Sequence, residues 1–419
     1  MSERRTVTLA LVGAGNRGQT YASWIARHAD RARLVAVAEP DPARRAAVAA
    51  HHPGVTGFGA WQDLLAAGVD VDAVIIATQD AEHAAPAIAF ARAGRDLLLE
   101  KPIAPTEREC REVVAAVTEA GVRLAVCHVL RYTPYTELLV DVLRSGVVGE
   151  IMSVEHLEPV GWWHAAHSYV RGPWRSETLA SPMLLAKSCH DLDWLSYVTG
   201  RRVARVASFG DLGHFRPDKR PERAADRCLD CVLEPDCPYS APKLYFPVLR
   251  ERGAVWPVSA ITDATDEAGL TEALRTGPYG RCVYACDNDV VDHQVLAIEF
   301  DGGATGTFTM TAFTEQTHRQ TRIFGSHGRI VGDGERLSVL DFRTGRTVVH
   351  ETGPTGDANA GDGHGGGDDG VMAAFVGSVA TGDEEFRRSG PADSLAAHLA
   401  VFAAEHARHT GTVVAVPTP

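Results

Sequence analysis

Three short strings carry residue types that could do chemistry together: Gly13-Ala14-Gly15-Asn16-Arg17-Gly18, Glu100-Lys101-Pro102 and His190-Asp191-Leu192-Asp193. A neutral imidazole can take a hydroxyl proton while hydride leaves the same carbon, and a nearby ammonium can polarise that hydroxyl oxygen. Glycines at this spacing let a backbone approach a pyrophosphate: Gly13 for the tight turn, Gly15 for the close approach, Gly18 for helix–strand packing. The set suits pyridine-nucleotide hydride transfer. His190 is the expected base. Lys187 and Asp193 stand one turn to either side of it on the same predicted helix and are expected to share its catalytic face. Lys187 would disfavour the imidazolium and keep the base neutral.

These groups need elements to hold them. Thr6–Val12 reads as a strand buried on both faces, the glycines follow it, and a helix then offers its free N–H groups, with Asn16 and Arg17 in its first turn, to phosphates. A second strand, Leu34–Ala38, ends at Glu39, where a carboxylate can accept from ribose hydroxyls and repel a 2′-phosphate. NAD is therefore expected over NADP, with Arg44 and Arg45 the features that would favour NADP. The strand Ala73–Ala77 runs into Thr78-Gln79-Asp80 and a helix that begins near Glu82 and carries His83. The strand Asp96–Leu99 delivers Glu100 and Lys101. Ligands sit beyond the carboxyl ends of strands in open α/β sheets, so Thr78, Gln79, His83, Glu100 and Lys101 are all expected on the cofactor side.

A substrate surface is expected from Gly161–Arg175, which packs three tryptophans, two histidines, a tyrosine and two arginines into 15 residues. Aromatic faces stack on sugar C–H surfaces while polar tips bond hydroxyls. Trp163, His167, Tyr169, Arg171 and Trp174 are the candidates there. His128, Arg131 and Tyr132 are expected to face the same cleft after the strand Arg123–Cys127, and Asp289 and His293 at the opening of a later sheet. Gly363–Asp368 reads as a loop before a helix capped by Asp368, with His364 a further candidate.

Cys228-x2-Cys231-x5-Cys237 with a distant Cys282 has the arrangement of a four-thiolate structural zinc site, with Cys286 the alternative fourth ligand and an iron–sulfur cluster the alternative occupant. Such a metal would staple an insertion at about 211–287 that looks too polar for its own core. Cys110, Cys127 and Cys189 read as small buried hydrophobes.

With GxGxxG, EKP, the histidine helix and AAHLAVFAAEHARHTGTVV at 396–414 in order, the chain resembles the Gfo/Idh/MocA family of glucose–fructose oxidoreductase and inositol dehydrogenase relatives. The resemblance implies an α/β chain: a Rossmann domain (1–126), then an α+β substrate and oligomerisation domain (127–419) with a large open, mostly antiparallel sheet. It implies a sugar or cyclitol substrate and a homo-oligomer. Similar dehydrogenases carry an aspartate four residues before the histidine, where this chain has Ala186. That departure leaves room for a glycoside-cleaving enzyme that oxidises transiently, eliminates and re-reduces. A sugar or nucleotide sensor on the same fold is a third reading, one that has no need of Lys101 and His190.

The bulk numbers exclude other classes. At 419 residues more than one core is expected. A net charge of −13 disfavours nucleic acid and anionic membranes as partners, and no apolar run could span a bilayer. The amino-terminal segment does not read as a signal peptide, so a cytoplasmic protein is expected.

Overall fold

The computed structural model describes residues 5–352, 364–383 and 388–419. Gly363 of the predicted glycine loop lies outside them. Six parallel strands form the first sheet: β1 (Val7–Val12), β2 (Ala32–Ala38), β3 (Thr56–Phe58), β4 (Ala73–Ile76), β5 (Asp96–Leu99) and β6 (Leu124–Val126). Their order is β3-β2-β1-β4-β5-β6. The strand order reverses beside β1, which opens a crevice at the carboxyl ends of β1 and β4. β4, and β1 apart from Thr8, are apolar because helices cover both faces.

The second sheet has nine strands: β7 (Ile151–Pro159), β8 (Val203–Asp211), β9 (His293–Phe300), β10 (Thr305–Thr311), β11 (Gln320–Gly325), β12 (Gly328–Gly332), β13 (Arg336–Asp341), β14 (Arg346–Glu351) and β15 (Val414–Ala415). Only β7 and β10 pair in parallel; every other neighbour is antiparallel. The helices Met183–Thr199 and Pro391–Thr410 cover one face, where Val206, Leu296, Ile298 and Phe308 meet Leu192, Leu195 and Val401 in one core. The other face is open and carries exposed Phe209, Val295 and Val413.

The two halves interlock. Val371, Met372, Phe375 and Val376 of the helix Gly367–Thr381 join the Rossmann core, and Leu395 and Leu399 of the helix Pro391–Thr410 pack on the sheet's other side. No helix among the described residues is long and apolar enough to cross a membrane.

The segment between β8 and β9 departs from expectation. It has a core of its own, in which Tyr245, Leu249, Leu270 and Leu274 of two helices, Ala241–Arg252 and Glu267–Thr276, pack with Val258 and Tyr279. Polarity along the segment hides an apolar stripe of one buried residue per turn, Ala241, Tyr245 and Leu249 on the first helix and Leu270 and Leu274 on the second, and Pro247 interrupts the first helix's pattern.

Candidate active site

The glycine loop has the shape its spacing predicts. Gly13 has φ +89°, and a Cβ there would lie 2.6 Å from the Ala77 carbonyl; one on Gly18 would lie 2.0 Å from the Gly13 carbonyl. A Cβ on Gly15 would meet nothing within 4 Å. The backbone is thus packed tightly from behind and open in front, which leaves a pyrophosphate room. The helix Asn16–Arg27 begins at Gly15 without a side-chain cap, so its first N–H groups remain available for an anion. Asn16 is exposed at this start. Arg17 turns its side chain inward instead: Nε donates to Glu100 at 2.6 Å and the guanidinium takes both oxygens of Asp368 at 2.7 and 2.9 Å.

Glu39 is buried at the end of β2. Its Oε2 accepts from Ala14 N at 2.7 Å and its Oε1 from Asp41 N at 3.0 Å, leaving each oxygen a further lone pair. Arg45 donates to the Glu39 carbonyl and Arg44 sits 3.7 Å from Asp41. After β4, Thr78 Oγ1 donates to the Glu82 carbonyl, Gln79 is exposed, and buried His83 contacts the Pro102 carbonyl at 2.6 Å. His83 therefore braces the EKP turn from behind. Glu100 does the same from below: Tyr21 donates its hydroxyl to it, and Lys101 its backbone N–H at 3.1 Å. Burial alone would raise the Glu100 pKa, but the Arg17 guanidinium and the Tyr21 hydroxyl hold it below the usual carboxylate range. Glu100 and Arg17 thus act on the cofactor crevice through the residues they fix.

Lys101 projects from β5 across the crevice, and its Nζ donates to the carbonyl of Ala186 on the histidine helix. His190 follows one turn later, buried, with Nδ1 free of any hydrogen bond among the described residues. Burial, then Lys101, His128 and His364 nearby, push its pKa well below the ordinary histidine value. The cation that keeps it neutral is thus Lys101. Lys187 points elsewhere, 3.1 Å from Glu158 on β7. Glu158 in turn meets Arg319 at 2.7 Å, Arg319 meets Asp191 at 2.8 Å, and Asp191 meets His156 at 3.1 Å. These buried charges link the histidine helix to the second sheet. Of them, Glu158, Asp191 and Arg319 come from a strand, a helix and a loop, and only Asp191 lay within a motif.

Asp193 leaves the expected face. It is wholly buried in a bidentate pair with Arg131, both N···O distances 2.6 Å. His128 lies between the rings of His190 and His398, at 5.8 and 5.7 Å between ring centres, and is fully buried. Tyr132 bonds Ser389 Oγ at 2.9 Å. His128, Arg131 and Tyr132 therefore position the histidine helix against the Rossmann sheet and do not line a substrate cleft. A helix turns 100° per residue, so a three-residue step rotates each side chain by 60°, and over two steps the fan is wide enough to separate Lys187 from Asp193.

The aromatic segment divides in two. Trp174 donates to Asp80 at 3.3 Å, and Tyr169 lies 6.4 Å from the Trp174 ring, so both reach the crevice. Trp163 packs instead against Trp256 of the insertion, the rings tilted at 51° with centres 5.3 Å apart. His167 bonds the Tyr245 hydroxyl at 3.0 Å and stacks on Tyr279; Arg171 donates to the carbonyls of Arg281 and Tyr239. These three anchor the insertion. Asp289 accepts from Ser176 and from the Glu177 N–H, and so fixes a loop. His293 pairs with Asp292 on the open face of the second sheet, because the alternation of β9 turns Gln294 inward. His364 contacts Asp368 at 3.1 Å and lies 6.2 Å from the His190 ring, closer to the site than its loop context suggested. Asp368 is not the helix cap: Gly366 holds that position, and the Asp368 carboxylate is committed to Arg17.

All eight cysteines are free thiols. Cys228, Cys231, Cys237 and Cys282 line one cavity of about 240 Å³, while no three of them bring their sulfurs mutually within 4.8 Å.

The comparisons with known proteins agree with this geometry. Residues 7–128 match the family described as "Oxidoreductase family, NAD-binding Rossmann fold" and residues 140–362 the one described as "Oxidoreductase family, C-terminal alpha/beta domain". The chain is 35% identical to inositol 2-dehydrogenase of Rhizobium meliloti over 36% of this chain and 44% of that one. It is 27% identical to 2,7-anhydro-N-acetylneuraminate hydratase of Escherichia coli, over 50% and 55%. The chain spans little more than half the length of the curated relatives it matches. A levoglucosan dehydrogenase solved with NADH and levoglucosan shares the fold at a TM-score of 0.71 and 20% identity, covering 99% of this chain and 100% of that one. The chain belongs to the Gfo/Idh/MocA oxidoreductase family.

Proposed function

We propose that this chain is an NAD-dependent oxidoreductase acting on a secondary hydroxyl of a sugar, cyclitol or glycoside, with Lys101 and His190 as its catalytic residues. One observation carries the reading. Lys101 spans the crevice beside the glycine cradle and reaches the helix that presents a buried, neutral histidine. NAD, seated on Gly13–Gly18 and Glu39, would supply the hydride acceptor. Lys101 holds the substrate oxygen and stabilises its negative charge. His190 takes the hydroxyl proton at the imidazole nitrogen that faces the crevice, and Lys101 opposes its premature protonation. Glu158, paired with Lys187, stands in for the carboxylate that similar dehydrogenases carry at the position of Ala186. Trp174 and Tyr169 offer the sugar an apolar face. The open face of the second sheet is where a second copy would dock.

Glu39, whose carboxylate is held by backbone N–H groups and makes no ion pair among the described residues, favours NAD over NADP. A redox-neutral variant of the same chemistry is the second reading. It rests on Ala186 and on the likeness to a hydratase. The test is turnover with NAD against a panel of cyclitols, sugars and glycosides. Steady NADH accumulation supports the dehydrogenase; product formed without net NADH supports the redox-neutral reading. Lys101→Ala and His190→Ala should each lower kcat by about 10²- to 10⁴-fold with NAD affinity changed only a few-fold, because the pyrophosphate cradle stays intact. Near-normal kcat in either variant would remove that residue from the mechanism.

A further inference from the structure

Arg171 is the least explained charge in the molecule. It is 1% exposed, and among the described residues no carboxylate lies within ion-pair distance of it. Nε donates to the Arg281 carbonyl at 2.8 Å and Nη2 to the Tyr239 carbonyl at 2.7 Å, while Nη1 is buried without a partner. A buried cation left uncompensated costs several kcal/mol. The group that lies nearest in place of a carboxylate is sulfur: Nη2 is 3.4 Å from Cys228 Sγ, and Arg171 lines the same cavity as Cys228, Cys231, Cys237 and Cys282. Of the acidic residues on that cavity, Glu234 accepts from Ser240 and Asp236 is exposed.

The backbone brings the four cysteines to this place deliberately. Cys228–Asp230 forms a single helical turn in which Cys231 N donates to the Cys228 carbonyl at 3.3 Å, so the Cys-x2-Cys pair folds onto one side. Cys237 ends the next turn, donating to the Leu233 carbonyl at 3.1 Å. The distant segment is locked in register: Arg227 and Arg281 form a β-bridge and Cys282 N donates to the Asp226 carbonyl at 2.8 Å, which sets Cys282 beside Cys228. Cys286 also lies close to Arg171 but does not line the cavity, and its thiol is directed at the Cys282 carbonyl.

We propose that Cys228, Cys231, Cys237 and Cys282 bind one zinc ion as four thiolates, with Arg171 as the buried counter-cation. Zinc with four thiolates would carry a net charge of −2, and the Arg171 guanidinium, 3.4 Å from Cys228 Sγ, would neutralise half of it. A zinc tetrathiolate would thus supply the negative charge that the buried Arg171 guanidinium lacks. The sulfurs ring the cavity, and rotation of each side chain between staggered wells closes them on the ion. Tetrahedral four-thiolate sites of this kind are structural, closed to substrate. The ion would tie the insertion to the segment that carries His167 and Arg171, and through it to the loop that presents Tyr169 and Trp174 to the crevice.

The experiment is metal analysis of the full-length protein purified without chelators. The expected result is about one zinc per chain in a colourless protein. Replacement by cobalt should give the intense thiolate-to-metal charge transfer and tetrahedral d–d bands of a four-sulfur site. Cys231→Ser and Cys237→Ser should lose the ion, Cys286→Ser should keep it, and Arg171→Gln should bind it about 10- to 100-fold more weakly. Zinc well below one per chain overturns the proposal, as do iron with visible absorption, a Cys228–Cys231 disulfide, or zinc retained in Cys231→Ser. Wild-type metal content and the cobalt spectrum decide the matter even if a serine variant fails to fold.

Discussion

Arg131 and Arg171 are both lost from solvent, 3% and 1% exposed, and both lie just outside the crevice, but they keep opposite company. Arg131 holds both oxygens of Asp193 and ties the histidine helix to the chain that leaves the Rossmann sheet. Arg171 has carbonyls and thiols around it and no carboxylate. The first is a closed electrostatic unit whose whole value is positional. The second has no such partner among the described residues, and the proposed zinc tetrathiolate would supply one. A buried charge is informative in proportion to how poorly its protein neighbours account for it.

The sharpest way to break this comparison is to remove each cation by a near-isosteric apolar residue. Arg131→Met strands a buried carboxylate and should destabilise the fold by about 3–5 kcal/mol, whereas Arg131→Met with Asp193→Leu should recover most of that. Arg171→Met has two opposite outcomes. With four neutral thiols, deleting an uncompensated cation would leave stability unchanged or raise it. With a zinc tetrathiolate the variant should lose about 1.5–3 kcal/mol, the value of hydrogen bonds to a charged group. Chemical denaturation of the three variants reads all of these directly.

A further effect, smaller per residue but summed over several side chains, comes from the buried histidines. His128, His164 and His190 are pushed well below the ordinary histidine value, chiefly by burial, and His167 and His398 to about 3. A histidine buried neutral contributes its full stability above its unfolded pKa of about 6.5, because neither state is then protonated. Below that the unfolded chain binds protons that the native chain refuses, so stability falls until the folded pKa is reached. Each such histidine should cost up to about 1.4 kcal/mol per pH unit. Melting temperature should therefore drop steeply from pH 6.5 downward, while the acidic limb of kcat/KM, set by His190, should lie below the ordinary histidine range. A flat stability profile between pH 7 and pH 5 would mean these rings are protonated or hydrated in the native state.

The two regions also differ in how far the sequence revealed them. Gly13–Gly18, Glu39 and Lys101 sit at fixed offsets from strand ends, which gather on one edge of a parallel sheet, whereas His190 was singled out by its helical motif. The Arg131–Asp193 pair was not, because 62 residues separate its members and neither spacing nor type distinguishes a substrate arginine from a structural one. His293 was misplaced by parity: a shift of one residue along β9 sends a side chain to the opposite face, and the open face of this sheet shows the same alternation as the covered one. Asp368 read as a helix cap because it stands where caps stand, and only Arg17, 351 residues away, shows its real partner. The cysteine spacing was legible; the arginine that makes it chemically coherent was hidden inside an aromatic run that resembled a sugar platform.

The smallest effect tests the mirror image of Arg171. Glu39 is a buried anion whose carboxylate makes no ion pair among the described residues; it leans on the N–H groups of Ala14 and Asp41. That arrangement leaves its charge facing the place where an adenosine ribose would lie against the glycine loop. Ribose hydroxyls can donate to it, whereas a 2′-phosphate would meet a full negative charge across a short, partly dry gap. Glu39→Gln removes the charge and keeps an acceptor, so the loop should hold its shape. The ratio of kcat/KM with NAD to that with NADP should fall by roughly ten-fold, about 1.4 kcal/mol, mostly through weaker NAD and better NADP binding and with kcat little changed. Arg44 and Arg45, now held by Asp41 and the Glu39 carbonyl, are the groups a 2′-phosphate would recruit. If the wild type already prefers NADP, those arginines must turn outward on binding, and Glu39 serves the loop alone.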